Sequence, residues 1–376
     1  MQIILSLLFV LLAQLISAQI NSEFELETLS GYENNIFKSP SSFVDPDSGE
    51  LLGKEDLYTN SIFQQVAIKG LFTKEWNNNN LTLRLLPRAQ IFLSESQASY
   101  YTIYSRLRYE KEISNKTKWQ VTSHFNYRDR DGENLDDNEL RTPLGYRHFD
   151  VSTRLFFRLY KQSRSFVEIE YGNRNYQDGE TNKLWYDYVA VNTIFRNVFK
   201  NPAGYHSYGV EASFSKRFYE RNYFDPEEAD ETRNWTYFTA EPFYRIPITE
   251  KWRVRAGLEW QRRIDNDRGS FTYSQLRPSV ELRYKTETFM AQLNGSYTNR
   301  GFNSLNATDV FGEVTGKLNL KYYRLRLEME QKIGKNLYLT SDAYMINRES
   351  NRKNLNTTGF RSYQYFYAGI GLTFTF

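Results

Sequence analysis

The sequence predicts an all-β protein, a transmembrane antiparallel up-and-down β-barrel of about 16 strands, within a range of roughly 14 to 18. Three observations predict this fold. Apolar and polar residues alternate in long stretches, short and long connections alternate between these stretches, and the chain ends inside such a stretch at Phe376. The 376 residues are 16% aromatic but 25% charged, with a mean hydropathy of -0.66. This composition excludes a bundle of membrane-spanning helices, each of which needs about 20 apolar residues.

The first residues of the chain have the pattern of a secretory signal. Residues 1–18 read MQIILSLLFVLLAQLISA, in which an apolar core precedes the small residues Ser17 and Ala18. This order is typical of a signal peptide, and we expect cleavage after Ala18. An uncleaved anchor is the alternative, although the apolar run is short for a helix that spans a bilayer. We therefore predict a signal peptide at residues 1–18 and a barrel at residues 19–376.

From residue 19 onward the sequence is a succession of strand-like stretches. Residues 251–261, KWRVRAGLEWQ, place the apolar side chains on one face and Arg, Glu and Gln on the other. Short connections, such as residues 77–80 and 201–204, alternate with longer polar ones. An even number of strands follows, with both chain ends on the side of the short turns. The longer set includes residues 38–59, 129–145, 222–234, 301–312 and 348–358.

A soluble β-sandwich also alternates, and it is the structural alternative. The stretches here are longer than the usual five or so residues of a strand. Their polar faces carry many charges, which a packed sandwich core does not tolerate. Aromatic residues also fall near the strand ends, as they do in the interfacial girdles of membrane barrels. These residues are Trp76, Trp119, Trp252, Trp260, Phe199 and Phe376.

One predicted strand, at residues 313–331, breaks the alternation. Leu318 and Leu320 share one parity, whereas Leu325 and Leu327 share the other. A β-bulge between the two groups would restore a single apolar face.

The strand succession and the final GIGLTFTF resemble Gram-negative outer-membrane β-barrel proteins. The resemblance implies a multi-pass protein of the cell outer membrane, in contact with its lipid. It also implies that Leu372, Phe374 and Phe376 form the signal that the barrel-insertion machinery recognises. Porin-like barrels often assemble as homo-oligomers. The content of Tyr, Asn and Lys is similar to that of barrels from Bacteroidota, but no functional family is identified.

Many charged residues fall on the parity opposite the apolar face, which lines the interior of a barrel. Sixteen strands can enclose an aqueous channel, and Arg facing carboxylates across it would create a transverse field. The alternative is that the charges pair and fill a narrow barrel. The candidates are Arg84, Arg88, Arg106, Arg108, Arg154, Arg158, Glu168, Glu170, Arg253, Arg255, Glu259, Glu281 and Arg283.

These features favour a channel for passive or facilitated passage of small hydrophilic solutes. A closed barrel with a structural or assembly role in an envelope complex is the alternative. A membrane-embedded hydrolase is less expected, because His124, His148 and His206 are the only histidines and no GxSxG motif is present. Acidic loops near residues 129–137 and 225–231 could hold a divalent cation or be solvated. The sequence has no cofactor motif, no zinc spacing and no cysteine, and its net charge of +3 does not favour nucleic acid.

Overall fold

The computed structural model describes residues 20–45, 48–129, 145–176, 186–219, 233–267, 269–356 and 360–376. The predicted signal peptide at residues 1–18 and most of the two acidic loops lie outside this part of the chain. The expectations for them therefore stay predictions.

The described chain forms one closed antiparallel barrel of sixteen strands, which confirms the predicted fold class and strand number. Each barrel strand pairs with its neighbours in the chain, and the last strand pairs with the first. A two-stranded hairpin, a short helix and one turn of 3-10 helix (Ser96–Ala98) lie in the connections. The elements are β1 (Asn21–Asn34), β2 (Phe43–Val44), β3 (Leu51–Leu52), α1 (Lys54–Leu57), β4 (Ser61–Trp76), β5 (Asn79–Phe92), β6 (Tyr100–Ser114), β7 (Thr117–Asp129), β8 (Tyr146–Phe157), β9 (Ser165–Tyr176), β10 (Tyr186–Asn201), β11 (Gly204–Tyr219), β12 (Arg233–Pro247), β13 (Trp252–Asp265), β14 (Tyr273–Lys285), β15 (Phe289–Thr308), β16 (Val314–Lys332), β17 (Leu337–Ser350) and β18 (Tyr363–Thr375).

Within the described ranges, no helix has the length and apolar character needed to cross a membrane.

The barrel wall has two chemically different faces because successive side chains of a strand point to opposite sides. On β9, Ile169 is 54% exposed whereas Glu168 is 5% exposed. On β18, Ile370 is 57% exposed, and the alternate positions on the other side are Gly369 and Gly371. The exposed apolar side chains form the outer face, and the charged and small residues form the inner face.

Outward-facing aromatic residues cluster where the short turns join the strands. The ring centroid of Tyr109 lies 6.2 Å from that of Trp76 and 5.9 Å from that of Trp119. The ring centroids of Trp252 and Tyr284 are 4.7 Å apart. Amphipathic rings of this kind occupy the boundary between the hydrocarbon and headgroup regions. The predicted girdle is therefore present at this end of the barrel.

The barrel closes where β1 meets β18. The amides of Phe24 and Phe376 each donate a hydrogen bond to the other residue's carbonyl oxygen, both at 2.9 Å. The two rings stack with centroids 5.9 Å apart. Phe376 is thus part of the barrel wall. The first residue of β1 and the last residue of β18 both lie at the end of the barrel that has the short turns, as predicted.

The outer ends of β15 and β16 differ from the sequence prediction. Most of the expected loop at residues 301–312 is strand, because β15 continues to Thr308 after a register shift beyond Gly301. The bulge expected between Leu320 and Leu325 is also absent, since both neighbouring registers run through this stretch without a shift. Leu318 and Leu320 instead face inward, where they are 0% and 1% exposed.

Three apolar clusters fill part of the interior at the end opposite the short turns. The first surrounds Leu318 and Leu320 and also contains Tyr273, Phe302 and Ile346. Burial within this cluster explains why the sequence has leucine on the inner face. The second joins Leu29, Ile36, Phe63, Phe92 and Ala98. The third is formed by Tyr186, Tyr219 and Trp235.

The long connection between β1 and β4 folds onto the connection between β17 and β18. Main-chain hydrogen bonds join Ser41 to Ser362 and Val44 to Leu355, at 2.9 and 3.0 Å. Arg361, which is 5% exposed, donates hydrogen bonds to the carbonyl oxygens of Asn354 and Ser42. Burial lowers the pKa of the Arg361 guanidinium from its ordinary value. The two connections together form a cap over one side of the barrel opening at the end opposite the short turns.

We expect Gly371→Ala to hinder closure of the barrel. A Cβ at this position would lie 1.8 Å from the carbonyl oxygen of Thr28 and 2.8 Å from the Cα of Leu29, both main-chain atoms of β1. Overpacking of this kind costs about 1–3 kcal/mol. The refolded fraction, measured by the heat-dependent gel mobility of barrels, should therefore fall. Gly295→Ala is the control, because its nearest neighbour is a Leu325 methyl group at 3.8 Å. Equal refolding of the two variants would contradict the expectation.

Candidate functional site: the charged inner wall

The predicted interior charges lie on the inner face of the strands, with one exception. They are carried by β5, β6, β8, β9, β13 and β14, at positions that alternate with exposed apolar residues. Arg158 differs because it follows the last residue of β8 and is exposed in the short turn. The wall between β5 and β14 therefore carries a dense set of inward-facing ions.

Several of these ions are paired with a neighbour on the adjacent strand. Arg154 contacts Glu168 with Nη2–Oε2 and Nε–Oε2 distances of 2.6 and 2.7 Å. Arg255 donates to Glu241 at 2.9 Å and to Glu211 at 3.2 Å. Charge-assisted pairs of this geometry are strong where solvent is partly excluded. These pairs match the alternative in which ions neutralise one another.

Three arginines on β5 and β6 are different. Arg84 and Arg106 are directly opposite each other in the β5–β6 register, and Arg88 lies four residues further along β5 on the same face. Among the described residues, none of the three has a hydrogen bond or an ion pair, and their Nε atoms are buried without an acceptor. Arg108, next on the same face of β6, has only a 3.9 Å contact with Glu110. The four residues therefore form a basic patch in which three arginines have no ion pair in the described part of the chain and Arg108 lies beside Glu110.

Carboxylates gather on a different part of the wall, in β1, β16 and β17. Lys69 binds Glu25 at 2.7 Å, whereas among the described residues Glu27 accepts a hydrogen bond only from the neutral amide of Gln65, at 3.1 Å. Sequence analysis missed the acids of β1, although the alternation in residues 23–27, EFELE, indicates a one-sided row. Arg326 is held between Glu328 and Asp342 at 3.1 and 3.0 Å.

The strand order changes the expected field across the interior. The arginines of β5 and β6 stand half-way round the barrel from β13 and β14, which also carry arginine. The carboxylates of β16 and β17 stand half-way round from those of β8 and β9. The sectors are mixed, however, because β6 carries Glu110, β13 and β14 carry Glu259 and Glu281, β8 carries Arg154 and β16 carries Arg326. Each side of the interior therefore carries both signs of charge, rather than Arg on one side and carboxylates on the other.

Arginines stack on aromatic rings around the end of the interior opposite the short turns. Arg217 lies 4.8 Å from the ring centroid of Tyr186 and 4.6 Å from that of Tyr237. Arg300 lies between Tyr273 and Tyr322 at 4.4 and 5.5 Å. Similar stacks occur on β7, β9, β12, β13, β16 and β17. The sequence signal, an Arg two residues from an aromatic on the inner parity, was missed.

The histidines of β7 and β8 share one carboxylate. Nδ1 of His124 is 2.6 Å from Oδ1 of Asp150, and Nε2 of His148 is 3.1 Å from Oδ2. Within the described residues neither ring contacts a Ser hydroxyl, so the hydroxyl–imidazole contact of a serine hydrolase is not formed there. The described part of the chain also contains no group of three or more acidic or His residues suited to a metal ion.

Comparison with known proteins places the chain by its fold. No protein-family model matches the sequence, and no curated protein matches it. Among solved structures, the chain is similar to OccAB1 of Acinetobacter baumannii, with a TM-score of 0.51, 8% identity and coverage of 94% of this chain and 96% of that one. The copper transporter OprC gives a TM-score of 0.45 at 11% identity, covering 96% and 81% of the chains. A mutant Rh. blastica porin gives 0.35 at 10% identity, covering 95% and 100%. At these identities the likeness shows the fold alone, that of an outer-membrane type barrel.

We expect Arg233→Met to destabilise the barrel. The Arg233–Asp265 pair is buried, with side chains 4% and 0% exposed and an Nη2–Oδ2 distance of 2.7 Å. Removing one partner of a buried pair leaves an uncompensated charge and costs about 3–5 kcal/mol. The midpoint of urea unfolding in lipid should fall accordingly.

Two further variants test the cause of that loss. Arg262→Met on the exposed face of the same sheet should leave the midpoint nearly unchanged. Adding Asp265→Leu to Arg233→Met should recover much of the loss, because no charge is then left unpaired. A double variant no more stable than the single one would show that the pair's charge is not the cause.

Proposed function

We propose that the protein is an outer-membrane channel that passes small hydrophilic solutes passively and prefers anions. The observation that carries the proposal is the basic patch of Arg84, Arg88, Arg106 and Arg108 on the inner wall. Like charges directly opposite each other on neighbouring strands are destabilising. Proteins retain such a conflict mainly where function requires it. A permeating anion would relieve the repulsion between Arg84 and Arg106.

Charged side chains on a pore wall select among permeating ions by their sign. The paired arginines contribute little, because a carboxylate at 2.6 to 2.9 Å already neutralises each of them. The three arginines of the patch that have no ion pair among the described residues, Arg84, Arg88 and Arg106, therefore carry most of the proposed selectivity. Arg253 and Arg283 on the opposite wall would add to it near the end with the short turns.

The outer face supports the proposed location. Its apolar side chains and its aromatic girdle fit contact with lipid, and closure leaves no strand edge in the hydrocarbon. In this setting the short turns face the periplasm. The insertion signal proposed for Leu372, Phe374 and Phe376 is compatible with the outward position of Phe374 and Leu372, which are 44% and 43% exposed. Homo-oligomer formation stays a prediction.

A closed barrel that works through partners is the second candidate, and a specific observation favours it. The apolar clusters and the cap, which is formed by residues 35–45, 48–60, 351–356 and 360–362, occupy part of the barrel opening opposite the short turns. A cap that filled the whole opening would block solutes. Measurement of conductance separates the two candidates.

We expect the purified, refolded protein to conduct in discrete steps in a planar bilayer and to favour chloride over potassium. Arg84→Gln combined with Arg106→Gln should shift the zero-current potential in a salt gradient toward cation preference, because two unpaired positive charges leave the inner wall. The effect should weaken at high ionic strength, where charges are screened.

Arg262→Gln is the control, because it removes one arginine from the exposed outer face of β13 and leaves the charges of the inner wall unchanged. Its zero-current potential should equal that of the wild type. If protein that is shown by gel mobility to be folded does not conduct, the open channel is rejected and the closed barrel is favoured. An unchanged potential in the double variant would reject the basic patch as the selective element.

A further inference from the structure

The inner wall contains a carboxylate and a guanidinium that face one cavity without neutralising each other. Glu27 on β1, Ala67 on β4 and Arg88 on β5 are aligned in register across three neighbouring strands. Two strand spacings separate the Cα atoms of Glu27 and Arg88 by about 10 Å. Ala67 is 2% exposed and has a short side chain, so β4 places no long side chain between the two ions.

Neither ion has an oppositely charged partner in the described part of the chain. Glu27 accepts one hydrogen bond from the Gln65 amide, and Arg88 has no hydrogen bond or ion pair. The next level along β1 and β4 differs, because Lys69 binds Glu25 at 2.7 Å and completes that pair. Glu27 and Arg88 are thus opposite charges that do not form an ion pair, and they lie next to the ion pair of Lys69 and Glu25.

Both residues line a cavity of about 400 Å³ inside the barrel. This volume is within the range of small-molecule sites, about 300–1,000 Å³. Gln65 and Gln90 add amide groups to its wall, and Tyr100 and Tyr367 add aromatic rings. Further charged groups line it as well, namely Glu25, Glu33, Glu328, Glu330, Asp342 and Arg326, of which Glu25 is paired with Lys69, and Glu328 and Asp342 with Arg326. The cavity therefore offers carboxylates, the guanidinium of Arg88, neutral hydrogen-bonding groups and an aromatic surface.

We propose that Glu27 and Arg88 bind the ammonium and the carboxylate of a zwitterionic solute, an amino acid or a short peptide. The inference rests on the proposed channel function and names the substrate class of the same interior. A simple anion would meet Arg88 but also Glu27 and the other carboxylates of the cavity, whereas a simple cation would leave Arg88 without a counter-charge. A solute with both charges satisfies both groups at once, so specificity follows from repulsion as well as attraction. The aromatic rings offer a surface for the side chain of the solute.

The test measures the reduction of single-channel current by diglycine, N-acetylglycine and glycinamide, which are zwitterionic, anionic and cationic. Diglycine should reduce the wild-type current in a saturable way, at concentrations well below those of the other two. Arg88→Gln and Glu27→Gln should each raise the half-saturating concentration of diglycine about tenfold or more, since each removes one charge-assisted hydrogen bond. Arg84→Gln removes the same charge from the same strand, but at the level of Leu71. It should shift ion selectivity and leave the half-saturating concentration of diglycine near the wild-type value.

Equal half-saturation in wild type and Glu27→Gln would overturn the proposal, as would equally strong binding of N-acetylglycine. If the folded protein does not conduct, the channel function fails, and calorimetric titration of the refolded protein with diglycine decides the site separately. Binding that is lost in both Glu27→Gln and Arg88→Gln would support a zwitterion site in a closed barrel. The absence of binding heat in the wild type would overturn the site as well.

Discussion

The structure depends on the closure of the main-chain hydrogen-bond network between β1 and β18. In hydrocarbon each unsatisfied main-chain group costs several kcal/mol, so a sheet in a membrane has to leave no edge. Closure fixes which face of every strand points outward, because residues that are paired between neighbouring strands have their side chains on the same side of the sheet. The close approach of Gly371 to the main chain of β1 and the reciprocal bonds of Phe24 and Phe376 are the local form of this constraint.

Most of the fold could be predicted because period-two alternation and connection length are local properties of the sequence. The strand number, the direction of the faces and the position of the chain ends all follow from them. The outer part of β15 and β16 could not be predicted in the same way. Leu318 and Leu320 suggested a bulge because an apolar residue was taken to face outward, whereas the cluster that buries them is formed by residues of five neighbouring strands, β14 to β18. Such long-range packing has no signature in the alternation of one strand.

The candidate site was predictable only as a set of inward-facing charges. Parity identifies which arginines face the interior, but it does not show which of them find a carboxylate. Arg154 and Arg255 are neutralised because the register brings Glu168 and Glu241 beside them. Arg84 is not neutralised because the register brings Arg106 instead. The same reason explains why the acids of β1 were overlooked, since their importance depends on the pairing of β1 with β4.

In this barrel the interactions that stabilise the wall are different from those that determine the charge of the interior. Main-chain pairing and the buried pair of Arg233 and Asp265 stabilise the wall without help from the patch on β5 and β6. That patch can therefore hold two arginines opposite each other, at a cost that an isolated sheet of marginal stability would not tolerate. The charges of β1 to β6 stay uncompensated at a few positions, and these positions line the interior beside a cavity. If the proposed channel function holds, solutes that supply the missing counter-charges are the ones this arrangement would favour.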